Sequence, residues 1–158
     1  KVLVKTFGGL IPCSGPLENT IDDGLMLVGD AAGFTSPLFE GGTHLGLHSG
    51  QFAAETAKMA LDKSDTSKEI LQYYVTQWKA SFPDYQKLIK GKNKLYEFTP
   101  QELNDVGHIM PKELGTLGMM GKLQVGANLA ISHRNLLKKG VTSAFEAFAY
   151  SRAEHYGW

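Results

Sequence analysis

The sequence predicts an α/β chain, in the form of an α+β fragment: a strand–loop–helix unit followed by a mostly helical C-terminal region. Three observations carry this. The apolar run Leu25-Met26-Leu27-Val28 lies between Asp22-Asp23-Gly24 and Gly29-Asp30; periodicity cannot type so short a run, but these bounds mark a buried strand. From Thr43 onward apolar and small residues interleave at helical spacing. After Asp62 charge and composition change together, residues 1–61 holding 3 Lys against 6 acidic side chains and residues 62–158 holding 13 basic against 10 acidic ones. The boundary between the two regions, 1–62 and 63–158, follows from that shift.

The elements follow in order. Val2 to Thr6 is strand-like, and Pro12-Cys13-Ser14-Gly15-Pro16 is a turn. In the helix that opens near Gly42, small residues at 42, 46, 50, 53 or 54, and 57 keep an i, i+4 spacing. That gives one face on which another backbone or a flat ligand lies close. Two glycines inside a helix cost about 1 kcal/mol each relative to alanine, so this face needs an offsetting contact. Lys68 to Phe82 is amphipathic and ends at Pro83, and Asp84 to Phe98 is a second such segment. Thr99-Pro100-Gln101-Glu102 places Thr at N-cap, Pro at N1 and Glu at N3 of a helix over 100–109. Gly115 to Gly126 holds four glycines and is expected to be irregular, with helices over Ala127–Lys139 and Thr142–Tyr156 completing the chain.

Composition bounds the function. Sixteen basic and 16 acidic side chains cancel, which removes the broad positive field of a nucleic-acid-binding domain. With 42% hydrophobic residues the chain has enough apolar material for a core. A single cysteine, Cys13, forms no intrachain disulfide, and no apolar run reaches the length of a membrane span. The expected location is cytoplasmic, with membrane-peripheral contact as a further option. A chain that opens on Lys1 and a strand is expected to be the C-terminal part of a longer one.

The chemistry is concentrated in Gly24 to His44. A strand that ends at Gly29 delivers one carboxylate, Asp30, at its carboxyl end, where ligands bind in open α/β sheets. A turn through Ala31 to Pro37 then leads to Gly41-Gly42 and a helix N-terminus, whose N–H groups and positive dipole end attract an electron-rich group. A carboxylate for hydroxyls beside a helix end for an anion suits a bulky cofactor.

The run Gly29-Asp30-Ala31-Ala32-Gly33 with Pro37, Gly41 and Gly42 resembles the second FAD-binding motif of flavoproteins related to p-hydroxybenzoate hydroxylase. With Ser49-Gly50-Gln51-Phe52-Ala53-Ala54-Glu55, the segment 10–61 is similar to the geranylgeranyl reductase family. The resemblance implies a strand–loop–helix unit that closes an FAD-binding domain. Asp30, with Gly29 and Ala31 beside it, would hydrogen-bond a ribityl hydroxyl of FAD, Pro37 would lie near the isoalloxazine, and Gly41, Gly42 and Thr43 would face its pyrimidine edge. The implied activity is reduction of C=C bonds of an isoprenoid (geranylgeranyl) lipid, with NAD(P)H or a ferredoxin-like carrier as electron donor. No G-x-G-x-x-G occurs in the chain, so the ADP half of FAD would be held by an N-terminal dinucleotide-binding portion outside it. The motif is shared with aromatic-ring monooxygenases and electron-transfer flavoprotein:quinone oxidoreductases, and a non-catalytic helical binding module is the alternative from another class.

Other residues have plainer readings. His44 and His48 have the i, i+4 spacing of metal ligands but no Glu beside the first His and no third ligand, so no metal is expected, and lining of a flavin or substrate cavity is the sharper alternative. Cys13 reads as a small buried filler. Lys87, Lys90, Lys92 and Lys94 form a solvated helix face, with attraction to an anionic membrane as the sharper alternative. Tyr73, Tyr74, Trp78, Phe145, Phe148, Tyr150, Tyr156 and Trp158 are assigned to the core, in part to an apolar substrate channel.

Overall fold

In this computed structural model residues 5, 8–109 and 119–150 are described, and they form two compact units, residues 1–82 and 83–158. The composition break after residue 61 falls inside the first unit, at the turn between its two long helices. The strand expected over Val2–Thr6 lies outside the described residues.

In the first unit β1 (Ile21–Asp22) and β2 (Leu25–Met26) form a two-stranded antiparallel hairpin, Ile21 opposite Met26 and Asp22 opposite Leu25. Gly24 turns it with φ of 68°, a left-handed conformation that glycine adopts without steric cost. The buried strand expected over Leu25–Val28 is corrected. Only two of its residues pair, and Leu25 and Val28 are exposed, because among the described residues no further strand or helix covers that side of the ribbon. The chain leaves β2 through Leu27, whose N–H donates to the Thr20 carbonyl at 2.8 Å, and enters a 3-10 turn over Gly29–Ala32.

Two helices complete this unit: α1 (Thr43–Asp62) begins where the sequence predicts, with Gly42 at its N-cap, and α2 (Lys68–Ser81) packs against it. α1 buries Leu45, Ser49, Thr56 and Ala60 on one face; α2 buries Leu71, Tyr74, Val75 and Trp78 at i, i+3, i+4 and i+7. Phe34, carried on the loop after the 3-10 turn, fills the space at their end, with ring centroids 5.0 Å from Trp78 and 4.9 Å from Phe82. The start of α2 is tied back to the hairpin: Lys68 N–H donates to the Asp23 carboxylate at 2.8 Å and Gly24 N–H to the Thr66 carbonyl at 2.8 Å. Asp23 thus satisfies a helix-start donor that α2's own N-cap, Ser67, does not. Tyr74 and Trp78 are core as expected, whereas Tyr73 points to solvent from the outer face of α2.

The second unit contains α3 (Tyr85–Tyr96), α4 (Pro100–Ile109), α5 (Met119–Ser132), α6 (Arg134–Lys138) and α7 (Val141–Tyr150). α3 and α7 approach closely at Gly91, where a side chain would run into Ala147 and the Ser143 carbonyl. Phe98, Val106, Leu129, Leu136 and Val141 form the core, with Phe145 packed on it; the side chains of Phe148 and Tyr150, and residues Tyr156 and Trp158, lie outside the description. The capping box forms as predicted, Thr99 N–H donating to Glu102 Oε2 at 2.8 Å and Glu102 N–H to Thr99 Oγ1 at 3.3 Å. Lys139 Nζ, at 2.7 Å, and the Thr99 N–H hold the Glu102 carboxyl down to about 2.

Two expectations are corrected here. Residues 119–126, expected to be irregular, are helical, since Val125 and Leu129 anchor α5 to the core and offset the cost of Gly121 and Gly126; residues 110–118 lie outside the description. The single helix over Ala127–Lys139 breaks at His133, whose φ of −135° and ψ of 45° are not helical.

Candidate functional site

The Gly29–Ala32 turn and the start of α1 form one site. Gly29 has φ of 54° and packs against Gly46 on α1, where a Cβ on Gly29 would lie 3.6 Å from the Gly46 Cα. The left-handed φ at Gly29 favours glycine there, and the small ridge of α1 meets backbone at ordinary contact distance at this point. The contact is fastened by hydroxyls. Gly29 N–H donates to Ser49 Oγ at 3.0 Å, the Ser49 hydroxyl donates to the Gly46 carbonyl at 2.9 Å, and Tyr74 OH donates to the Leu27 carbonyl at 2.6 Å. Ser49 and Tyr74 are fully buried. Burial pushes the Tyr74 phenol up to about 12, against the opposing effect of the nearby Ser49 hydroxyl. Neither hydroxyl stands out in the sequence; a Ser in the glycine ridge of α1 is the one signal that points to this clamp.

Asp30 is set by that clamp. Its side chain is exposed and makes no hydrogen bond or ion pair among the described residues. It faces the α1 N-terminus across Gly42: a Cβ there would come within 3.0 Å of Asp30 Oδ1 and 2.8 Å of Thr35 Cγ2. No side chain caps α1, so its first N–H groups, beginning at Thr43, are left for solvent or a ligand. The structure therefore brings Gly29, Asp30, Gly42 and Thr43 together, with Ala31 exposed beside Asp30.

The loop between these parts is internally bonded. Ser36 N–H donates to the Gly41 carbonyl at 2.8 Å, Glu40 N–H to the Ser36 carbonyl at 2.9 Å, and Phe39 N–H to Ser36 Oγ at 3.1 Å. Gly41 is half-buried and Pro37 fully buried, so Pro37 backs the loop while the side chains of Phe39 and Glu40 stand outward. At Gly33, with φ of 77°, a side chain would strike the Gly15 carbonyl, which seats the Pro12–Pro16 turn against the loop together with the Thr35 hydroxyl bond to the Pro12 carbonyl. Cys13, in that turn, is half-buried.

His44 and His48 stack on the outer part of α1 with centroids 4.3 Å apart, and His48 continues to Phe52 at 6.1 Å. Among the described residues no group of three or more His, Cys, Asp or Glu side chains is placed to hold a metal ion. On α3, Lys94 pairs with Glu97 at 2.9 Å and Lys87 lies 3.9 Å from Asp84, while Leu88 is buried and Ile89 and Leu95 half-buried. No helix among the described residues is long and apolar enough to cross a membrane.

No protein-family model matches the chain. It is 37% identical over 113 residues, 71% of its length, to digeranylgeranylglycerophospholipid reductase 2 of Methanopyrus kandleri, and 37% identical over 107 residues to digeranylgeranylglycerophospholipid reductase of Methanocaldococcus jannaschii. The matched parts are 28% and 27% of those proteins, so the chain spans little more than a quarter of the relatives it matches. Among solved structures, a geranylgeranyl bacteriochlorophyll reductase-like protein of Thermoplasma acidophilum superposes with a TM-score of 0.64 at 26% identity, covering 83% of this chain and 33% of that one.

Proposed function

We propose that this chain, which belongs to the geranylgeranyl reductase family, forms the ribityl- and pyrimidine-facing wall of an FAD site in an oxidoreductase that saturates C=C bonds of a geranylgeranyl lipid. The observation that carries the reading is the pairing of an unpartnered carboxylate, Asp30, with an uncapped helix start at Thr43 across a seam kept free of side chains by Gly42.

The donor set suits that cofactor. A carboxylate oxygen accepts hydrogen bonds, so Asp30 can take the hydroxyl donors of a ribityl chain. The α1 start only donates and carries the positive end of a helix dipole, so it selects an electron-rich ring edge and favours negative charge there. Gly41 and Gly42 let a flat group reach those N–H donors. Ser49 and Tyr74 hold the turn against α1 so that the acceptor and the donors keep their separation. When bound and reduced by its electron donor, the flavin would supply the hydride for the double bond; the residues of this chain would orient it and stabilise the charge. The N-terminal dinucleotide-binding portion, the NAD(P)H or ferredoxin-like electron donor and a peripheral membrane contact belong to the same reading.

The test is Asp30→Ala in the full-length reductase. Loss of a charge-assisted hydrogen bond lowers flavin affinity by about 1.5–3 kcal/mol, read as flavin occupancy after dialysis and by titration of the apoprotein. Full retention of flavin by the variant would reduce Asp30 to a turn residue.

A further inference from the structure

α5 is apolar on two opposite sides. On the inner side Leu129 is buried and Val125 packs against the core of the second unit. On the outer side Met120, Leu123, Ala127, Ala130 and Ile131 are all exposed, and at helical spacing they share an arc of about 100°. Met120 and Ile131 are each 80% exposed and Leu123 is 62% exposed. The inner stripe is covered by the core, whereas the outer stripe is left exposed. Along the chain, residues 114 to 145 hold no Asp or Glu, while Arg134, Lys138 and Lys139 fall in that stretch. Lys139 is engaged by Glu102. Arg134 and Lys138, one turn apart on α6 directly after α5, are exposed and have no ion-pair partner among the described residues.

We infer that the outer face of α5, with Arg134 and Lys138 following it, docks on an anionic lipid bilayer, its apolar side chains at the acyl boundary and the two cations against headgroup phosphates. An exposed apolar stripe followed in the chain by two exposed cations has the charge complementary to such a surface, and the apolar and electrostatic contributions add. The basic cluster on α3 fits the role less well, because its aliphatic neighbours Leu88, Ile89 and Leu95 turn inward. The inference deepens the peripheral membrane contact of the proposed function and rests on that reading; its variants lie on the second unit outside the proposed flavin site, so loss of lipid binding and loss of flavin are read separately.

The experiment is co-sedimentation of the full chain with vesicles of equimolar phosphatidylglycerol and phosphatidylcholine, and with phosphatidylcholine alone, at low and high salt. Expected are binding to the anionic vesicles, weakened by salt, a loss of more than tenfold for Leu123→Glu with Ile131→Glu, and a loss of about fivefold for each of Arg134→Gln and Lys138→Gln. Lys58→Gln, at an exposed lysine on α1, binds as wild type. Circular dichroism checks helicity. A second measurement needs no charge insertion: with Cys13→Ser, a polarity-sensitive fluorophore on Ile131→Cys shifts to the blue when anionic vesicles are added. Absence of binding to anionic vesicles, binding indifferent to the α5 substitutions, or an unshifted label would overturn the proposal. So would a self-associated dimer dissolved by those substitutions, which would assign the face to a second copy.

Discussion

Gly42→Ala adds one methyl group to the seam between Asp30 and the start of α1. The backbone there, at φ of −132°, is outside the left-handed region that favours glycine, so the cost argued is steric. The methyl carbon would stand 2.8 Å from Thr35 Cγ2 and 3.0 Å from Asp30 Oδ1, well inside the usual separation of about 3.5–4.0 Å between carbons. Thr35 is buried and its hydroxyl is bonded to the Pro12 carbonyl, so it cannot swing away. The exposed Asp30 carboxylate or the α1 start must move instead. Overpacking of this kind costs about 1–3 kcal/mol. Gly50→Ala is the control: two turns along the same helix, its Cβ meets nothing within 4 Å, and alanine gains about 1 kcal/mol in a helix interior. The two substitutions are therefore expected to differ by about 2–4 kcal/mol. Urea unfolding followed by circular dichroism reads the difference as separated midpoints with unchanged slope. In the full-length protein only Gly42→Ala should lose flavin, because only there is the Asp30 carboxylate displaced. Equal midpoints for the two variants would refute the reasoning, since they would mean the seam has room for a methyl group.

Ser49→Ala leaves the Gly29 N–H without its acceptor and should cost about 1–3 kcal/mol. Because the Ser49 and Tyr74 hydroxyls interact, Ser49→Ala with Tyr74→Phe should depart from additivity by at least about 0.5 kcal/mol; strict additivity in the cycle would break the clamp into two unrelated bonds. With its phenol raised to about 12, Tyr74 contributes stability that is complete below pH 10 and declines as pH rises from there through 12, so Tyr74→Phe should flatten the alkaline limb of the stability profile. Gly91→Ala drives a methyl group into Ala147 and to 2.8 Å from the Ser143 carbonyl, and a midpoint no lower than wild type would show that α3 and α7 are not in contact there. Glu102, held down to about 2 by Lys139 and the Thr99 N–H, gives stability present above its ordinary value of 4.5 and lost as pH falls from 4.5 through 2. Lys139→Met should reduce the stability difference between pH 7 and pH 3, and an unchanged difference would count against the pair.

Local chemistry was legible in the sequence wherever neighbours in the chain decide structure. The Thr99–Glu102 capping box, the α1 start at Gly42-Thr43 and the ends of α2 and α3 depend on residues within a turn of one another, and each forms within a residue or two of its expected place. The order Gly29, Asp30, Gly42 likewise pointed to an acceptor beside a helix start. What neighbours in space decide was not legible. Leu25–Val28 carries the composition of a buried strand, but pairing depends on a partner, and the pairing found is a two-residue hairpin. Gly121 and Gly126 argue against helix locally, yet the burial of Leu129 outweighs them. The Ser49–Tyr74 clamp joins residues 25 positions apart through hydroxyls that are unremarkable one at a time. The outer face of α5 is visible only once the core has claimed Val125 and Leu129. Sequence determines which groups are available and how they repeat; the tertiary structure decides which meet, because burial and hydrogen-bond satisfaction are settled across the chain and not along it.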